Sequence, residues 1–124
     1  MEKLIIEGTN KTPGINFNPD MGIFEIEGRS IPEDPETYYN DIFLWLEEYF
    51  LNPHEITTLN FTLEYINSGS SKCVMALIKI INKYYNEGNN CVINWNFEEE
   101  DESIEELGEY YQSIVSVPIH LKEY

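Results

Sequence analysis

The sequence predicts an α/β domain in which one mixed, mostly parallel β-sheet packs against three helices. Segments that alternate apolar and polar residues, as strands do, themselves alternate along the chain with segments of helical periodicity, which implies parallel crossovers. The length of 124 residues suits one domain, and aromatic residues make up 14% of the chain, enough for a packed core. We therefore expect a single domain over residues 1–124 with the element order β-β-α-β-α-β-α-β.

Five segments have the composition of strands. Residues 23–28 and 57–66 show the clearest alternation, because apolar residues there take turns with Glu, Asn or Thr. The other predicted strands are residues 4–6, 91–97 and 115–121. Residues 9–20 contain Asn, Pro and Gly and are predicted to form a loop, so the first two strands are expected to be an antiparallel pair. Pro118 places the last strand at a sheet edge or at a bulge.

Three segments have helical periodicity. The first helix is expected to begin near Asp34, which can cap it, because Pro35 suits the first helical position. The second follows the turn at residues 67–71, and its predicted buried positions are Val74, Leu77, Ile78 and Ile81. The third follows an acidic stretch, and its predicted inward positions are Ile104, Leu107 and Tyr111.

The charge of the chain limits its partners. Seven basic residues against 23 acidic ones give a net charge of −16, which argues against binding nucleic acid or an anionic membrane surface. The two cysteines, Cys73 and Cys91, are expected to be buried, reduced thiols. No signal peptide and no apolar run of about 20 residues is visible, so we expect a cytoplasmic protein.

The sequence shows no recognisable catalytic constellation. His54 and His120 stand in no motif with a neighbouring Cys or Ser, and no nucleotide-binding or zinc-binding spacing is present. We therefore expect no cofactor, no metal and no enzymatic activity. A small enzyme that uses one of the two histidines remains the less favoured alternative.

An acidic stretch covers residues 98–109, where eight of the twelve residues are Asp or Glu. One interpretation is a solvated helix face whose first carboxylates complement the positive end of the helix dipole. The other is a docking surface for a basic partner, since −16 exceeds the magnitude of roughly 2–8 that solubility needs. The second interpretation makes the chain an acidic binding protein that masks a basic surface, such as a nucleic-acid mimic or an immunity protein.

The turn at residues 67–72 is the most informative segment. Its serines stand between a buried strand and the N-terminus of a helix, where free backbone N–H groups and the helix dipole favour negative charge. Ser68 or Ser70 could be an ordinary N-cap. Alternatively, one of them is a phosphoacceptor, because a phosphoryl group would be tolerated there while repelling a closely packed partner.

Four segments together resemble the SiaC family of bacterial regulatory phosphoproteins, over nearly the whole chain. The stretch Leu63-Glu64-Tyr65-Ile66-Asn67-Ser68-Gly69-Ser70-Ser71-Lys72 is similar to the family's Tyr-x-Asn-[Thr/Ser] turn. Gly8-Thr9 with Thr12-Pro13 resembles its Gly-Thr…Thr-Pro segment, and Gly28-Arg29-Ser30-Ile31-Pro32-Glu33-Asp34 resembles its Gly-x-Ser-Tyr-Pro-Glu-Asn loop. Trp45 matches the Trp of the family's first helix.

The resemblance implies a STAS-like fold and a partner switch. In such a switch a dedicated kinase phosphorylates one Thr or Ser of the turn, and a PP2C-type phosphatase removes the phosphate. The unphosphorylated form binds and controls a target such as a diguanylate cyclase, in biofilm regulation. The position that matches the family's acceptor is Ser68, and Ser70 is a competing acceptor.

The loops at residues 8–13 and 28–34 are expected to rim the Ser68 turn and to form part of a partner surface. The predicted partner-binding residues are Thr12, Pro13, Arg29, Ser30, Pro32, Glu33, Asn67, Gly69 and Lys72. Arg29 is the only arginine, and it either anchors a phosphate or a partner carboxylate or forms a surface salt bridge with Glu27 or Glu33. The chain departs from the family pattern at Ile31 and Asp34 and within the turn, which bears on the identity of the partner.

Overall fold

The computed structural model describes all residues 1–124 and contains one six-stranded sheet and three helices. The strands are β1 (Leu4–Ile6), β2 (Gly14–Asn18), β3 (Ile23–Ser30), β4 (Thr57–Ile66), β5 (Cys91–Phe97) and β6 (Ile119–Glu123). The helices are α1 (Pro35–Tyr49), α2 (Ser68–Asn86) and α3 (Glu102–Ile114). Neighbours in the sheet follow chain order, from β1 at one edge to β6 at the other. This confirms the predicted α/β class with a mixed sheet and three helices.

The sheet divides into an antiparallel half and a parallel half. Strands β1, β2 and β3 pair antiparallel, whereas β3, β4, β5 and β6 pair parallel through the helical crossovers. The predicted position of the last strand at an edge is confirmed. It begins only at Ile119, because the backbone N–H groups of Ser116 and Val117 donate to the side chain of Asn82 at 2.8 and 2.9 Å instead of to a strand.

The prediction of a loop over residues 9–20 is wrong, because this segment contains β2. Ile15 and Phe17 of β2 are buried while Asn16 is exposed, so the period of two is present but short and flanked by Gly, Pro and Asn. As a result β1 and β3 do not pair with each other, and each is antiparallel to β2 instead. The order therefore has one more strand than predicted, β-β-β-α-β-α-β-α-β.

One face of the sheet forms a single core with the helices. The core comprises 25 buried residues drawn from five of the six strands and all three helices, together with a few loop positions. Trp95 is its largest side chain, and its indole N–H donates to the Ile104 carbonyl of α3 at 2.8 Å. Its ring also lies 5.1 Å from Phe61 and 5.3 Å from Tyr111, centroid to centroid. Trp95 thus fixes α3 over β4 and β5.

The opposite face of the sheet is polar and carries no helix. Its side chains include Glu25, Asn60 and Asn94, which occupy neighbouring positions on β3, β4 and β5. The Asn94 side chain donates to Asn60 at 2.7 Å, and Asn96 donates to Thr62 at 3.1 Å. The fold is therefore a two-layer sandwich with one open sheet face. None of its helices combines the length and the apolar character that crossing a membrane requires.

The predicted helix positions agree with the structure. Asp34 is the N-cap of α1 and accepts from the Thr37 backbone and hydroxyl at 3.2 and 2.6 Å, which lowers the pKa of Asp34. The four residues predicted as the buried stripe of α2 are all fully buried. On α3, Ile104 and Tyr111 are buried, and Leu107 is half-buried.

Gly108 of α3 packs directly under Trp95. A Cβ at this position would lie 2.6 Å from the indole Nε1 and 2.8 Å from Leu121 Cδ2, so Gly108→Ala must displace α3 or the ring. Overpacking of this kind costs about 1–3 kcal/mol and outweighs the helix-propensity gain of about 1 kcal/mol. We expect urea denaturation to show a lower free energy of unfolding. Glu109→Ala, on the exposed face of the same helix, is the control, and equal stability of Gly108→Ala and the wild type would contradict the packing argument.

Candidate phosphoacceptor turn and its groove

The turn between β4 and α2 is organised by Asn67. Its side-chain oxygen accepts from the Ser70 backbone N–H at 2.8 Å, which makes Asn67 the N-cap of α2. Its own backbone N–H donates to the Ser30 carbonyl at 3.1 Å and so ties the turn to the end of β3. The expectation that Ser68 or Ser70 is the cap is therefore wrong, because α2 begins one residue earlier than the serine pattern suggests.

The three serines of the turn differ in accessibility. Ser68 is exposed at the first position of α2. Ser70 is fully buried, and its hydroxyl has no hydrogen-bond partner. Ser71 is half-buried, and its hydroxyl donates to the Ser68 carbonyl at 2.8 Å. Of these hydroxyls, only that of Ser68 is both exposed and free of the hydrogen bonds that hold the turn.

Ser68 lies on the rim of a groove of about 440 Å³. The groove is bounded by the end of β4, the first turn of α2 and the first two turns of α3. Its lining residues are Glu64, Tyr65, Ile66, Asn67, Ser68, Ser71, Asp101, Ser103, Ile104 and Leu107. The Tyr111 hydroxyl of α3 donates to the Ser71 carbonyl of α2 at 2.7 Å, so the two helices that form the walls are joined directly.

The acidic stretch reaches the same groove. Asp101 is the N-cap of α3 and accepts from the Ile104 N–H at 3.1 Å, and it lines the groove with Glu64. Both carboxylates lie near Tyr124, whose pKa is raised by burial and then by Glu98, Glu64 and Asp101. Glu64 and Asp101, which are 37 positions apart in the sequence, therefore form an acidic wall of the groove that Ser68 also lines. Sequence reasoning treated the stretch at 98–109 and the turn at Ser68 as separate regions, and the structure corrects this.

The two loops predicted to rim the turn are joined to each other and to it. The backbone N–H of Ile31 donates to the Lys11 carbonyl at 2.8 Å, and the Ser30 carbonyl accepts from Asn67. Thr12 is half-buried, and its hydroxyl lies 2.8 Å from that of Thr9. The loops 8–13 and 28–34 therefore form one connected surface beside α2.

Three of the predicted partner-binding residues have buried side chains. The Pro13 carbonyl accepts from the Tyr38 hydroxyl at 2.8 Å, and the Ser30 hydroxyl lies 2.7 Å from that of Tyr39. Pro32 is buried as well. Burial raises the pKa of Tyr39 to about 12, so this hydroxyl remains a neutral structural group. These residues hold the loops in place, whereas Glu33 and Lys72 are exposed and Gly69 is half-buried.

Arg29 is exposed next to the turn and forms no salt bridge. The one salt bridge of the chain joins Lys83 to Glu47 at 3.3 Å, so the expected alternative of a pair with Glu27 or Glu33 is not seen. Instead the guanidinium carbon lies 6.0 Å from the centroid of the Tyr65 ring. A β-bulge lies between Gly28, whose φ is 107°, and Arg29, so that the pairing with β4 skips Glu64. Arg29 is thus presented at the surface beside the groove.

The other candidate reactive groups lie in unremarkable surroundings. The His54 ring nitrogen is 3.1 Å from the Ile56 carbonyl, and His120 is exposed on β6. Burial raises the pKa of Cys73, and it raises that of Cys91 to about 11, so both thiols stay protonated. No group of three or more His, Cys, Asp or Glu side chains in the chain is arranged to hold a metal ion.

Comparison with known proteins assigns the family. The family model described as SiaC family regulatory phosphoprotein matches residues 6–124. The chain belongs to the SiaC family of regulatory phosphoproteins. A protein of Pseudomonas aeruginosa strain UCBPP-PA14 is 25% identical over 122 residues, covering 98% of this chain and 97% of the relative.

Two solved structures support the same assignment at the level of the fold. SiaC of Pseudomonas aeruginosa superposes with a TM-score of 0.93 at 23% identity, over 100% of both chains. A crystal structure of the diguanylate cyclase SiaD in complex with its activator SiaC, also from Pseudomonas aeruginosa, matches with a TM-score of 0.92 at 24% identity. That match covers 98% of this chain and 99% of the other. The match of the family model over residues 6–124, together with this agreement in fold, confirms the family suggested by the four sequence segments.

The cap at Asn67 can be tested without any partner. Asn67→Ala removes the acceptor for the Ser70 N–H and should lower the free energy of unfolding by about 1 kcal/mol. Asn67→Asp keeps an acceptor of the same shape and should leave stability close to that of the wild type, since Asn and Asp cap equally well. Urea denaturation measures both, and hydrogen exchange of the Ser70 amide reports the local effect. Equal stability of the Ala and Asp variants would show that the cap is not needed.

Proposed function

We propose that this protein is a non-enzymatic regulatory switch whose phosphoacceptor is Ser68. In this proposal a dedicated kinase phosphorylates Ser68, and a PP2C-type phosphatase reverses the reaction. The unphosphorylated form acts in the bacterial cytoplasm, where it binds and controls a target such as a diguanylate cyclase and thereby regulates biofilm formation. The observation that carries the proposal is that Ser68 is the exposed, unbonded hydroxyl of the turn and stands on the rim of the groove.

The position of Ser68 at the start of α2 suits a phosphorylated residue. The first turn of a helix has N–H groups without intrahelical partners, and its dipole is positive at that end. A phosphoserine carries roughly −1.5 to −2 charges at pH 7, which the helix end stabilises. The modification would therefore change the surface of the protein while α2 remains folded. Ser70 is a poor acceptor by comparison, because its hydroxyl is buried.

The groove beside Ser68 is already acidic before any phosphoryl group is added. Asp101 and Glu64 already give the groove two carboxylates, and a phosphoryl group would bring further negative charge to the same 440 Å³ space. A partner that packs closely into the unmodified groove would then meet the bulk of the phosphoryl group. This supports a switch in which phosphorylation releases the target, rather than one in which it recruits an acidic partner.

The partner surface in this proposal combines the turn with the connected loops. Exposed or half-buried side chains at Thr12, Arg29, Glu33, Asn67 and Lys72 would contact the kinase, phosphatase or target, and Gly69 would allow close approach. The solved complex of SiaD with its activator SiaC supports a diguanylate cyclase as the class of target, since that activator shares the fold of this chain.

An acidic binding protein that masks a basic surface is the second candidate. It is favoured by the exposure of residues 98–100, which precede α3 and lie beside the groove. The two candidates differ in what abolishes binding of a partner. For a masking protein, neutralising residues 98–102 should abolish partner binding, while Ser68→Ala should leave partner binding intact.

The acceptor is tested by mapping phosphate. The wild-type protein is incubated with ATP and the purified kinase-like ATPase of its own bacterium, and phosphate is located by mass spectrometry. We expect modification at Ser68, loss of that modification in Ser68→Ala, and wild-type behaviour of Ser71→Ala, the control one turn away. Phosphate on another residue, or none, would refute Ser68 as the acceptor.

The acidic wall makes a prediction about the phosphate itself. Carboxylates near a phosphoserine disfavour its dianion, so Asp101 should hold the second pKa of phospho-Ser68 above the value it has without that charge. Asp101→Asn keeps the cap of α3 and removes the charge, and ³¹P NMR titration should then show a lower phosphate pKa. Glu109→Gln, about two helical turns further along α3, should leave the titration unchanged. An identical phosphate pKa in Asp101→Asn and the wild type would show that the Asp101 carboxylate does not act on the phosphate.

A further inference from the structure

Helix α3 exposes an apolar row that the core does not use. Tyr110 and Ile114 are 58% and 43% exposed, and Leu107 is half-buried. Their spacings of three and four residues place them on one face of the helix. That face is distinct from the one formed by Ile104, Gly108 and Tyr111, which packs on the sheet. Three large apolar side chains in one row are more than scattered surface residues account for.

The row is continuous with the Ser68 groove. Leu107 belongs to both, and Ser103, one turn before it, also lines the groove. Tyr65, which also lines the groove, is 54% exposed. From Ser103 to Ile114 the track along α3 is about 16 Å long, at a rise of 1.5 Å per residue, which corresponds to three helical turns. A helix of a partner lying along α3 would match this length.

Carboxylates flank the apolar row along its outer side. Glu102, Glu106 and Glu109 are exposed on α3 and take part in no salt bridge. They therefore complement Lys or Arg side chains that project beside an apolar stripe. A second copy of this chain is a poor occupant, because it would bring the same carboxylates and a charge of −16 against them.

We propose that Leu107, Tyr110 and Ile114, together with the Ser68 groove, form the docking track for a basic amphipathic helix of the regulated protein. The identity of that protein as the target of the switch rests on the proposed function, whereas the track itself does not. Ser68 stands at one end of the track. A phosphoryl group there would fill space in the groove into which the end of the docked helix fits.

The track is tested first with a defined probe. A synthetic 14-residue peptide in which Leu recurs at helical spacing among Lys residues is titrated into ¹⁵N-labelled protein. We expect amide shifts concentrated in residues 64–68 and 103–114. Shifts centred on the open sheet face, on α1, or spread evenly over the acidic surface would overturn the proposal.

Variants then separate apolar docking from general charge attraction. Tyr110→Ser with Ile114→Ser should weaken peptide binding roughly tenfold or more, since such anchors dominate an interface. Leu44→Ser with Leu51→Ser removes two apolar side chains elsewhere that are more exposed than Tyr110 and Ile114, and this variant should bind as the wild type does. Both double variants change exposed positions, and thermal unfolding checks that they fold. Peptide affinity of the Tyr110/Ile114 variant within twofold of the wild type would refute the track.

Charge is tested with matched triple substitutions. One triple variant removes the charges beside the track and combines Glu102→Gln, Glu106→Gln and Glu109→Gln. It should bind the peptide more weakly than a control that neutralises the same number of exposed carboxylates away from the track, with Glu48→Gln, Glu55→Gln and Glu87→Gln. Equal losses in the two triples would show that the net charge, and not this surface, attracts the peptide.

The final arm uses the complete partner and keeps the two proposals distinguishable. Calorimetry measures binding of the unphosphorylated protein to each purified diguanylate cyclase of its own bacterium. For a cyclase that binds, the Tyr110/Ile114 variant should lose roughly tenfold or more in affinity yet still be phosphorylated at Ser68. If no cyclase binds while the peptide maps to the track, the proposed target is wrong and the docking surface stands. If a cyclase binds both double variants equally, the docking surface is wrong and the switch stands.

Discussion

The parallel pairing of β4 with β5 determines where the candidate acceptor and the groove beside it lie. In a parallel pair the carboxyl ends of both strands lie at the same end of the sheet, so the helices that follow them begin side by side. Here α2 starts after Ile66 and α3 shortly after Phe97, and the groove forms between their first turns. The candidate acceptor and the acidic wall meet because of this geometry, since no short sequence separation brings them together. The fold thus places two positive helix ends and several carboxylates around one small space.

Few contacts fix the relative position of α2 and α3, and each is specific. The Tyr111 hydroxyl binds the first turn of α2, the Asn82 side chain holds the segment that follows α3, and Trp95 seats α3 on the sheet. These three contacts hold the walls of the groove in place, so a charge added beside the groove would change its surface without moving its walls. A change in the charge or shape of this surface would therefore alter partner binding directly, without a rearrangement of the domain. This is consistent with a switch that acts by permitting or blocking docking.

Much of the fold could be predicted because β4 and α2 show their periodicities openly, at residues 57–66 and in the four buried positions of α2. Strand β2 could not, because its two buried residues, Ile15 and Phe17, are separated by Asn and bounded by turn-forming residues. The serine-rich turn was found, but its cap was not, since Asn67 competes with three neighbouring serines for that position and only the hydrogen bond decides. Asp101 is recognisable in the sequence as part of an acidic run, but its place in the same groove as Ser68 depends on strand pairing that no local pattern contains.

The edges of the sheet bear on whether copies of this protein associate with each other. Unpaired edge strands are templates for stacking between molecules, and short or charged edges suppress it. Here β1 has only three residues, and β6 ends with Lys122 and Glu123, while the open face between them is covered with amide and carboxylate groups. The strand side of the domain thus discourages self-association, so that the helical side would stay accessible even at a high protein concentration.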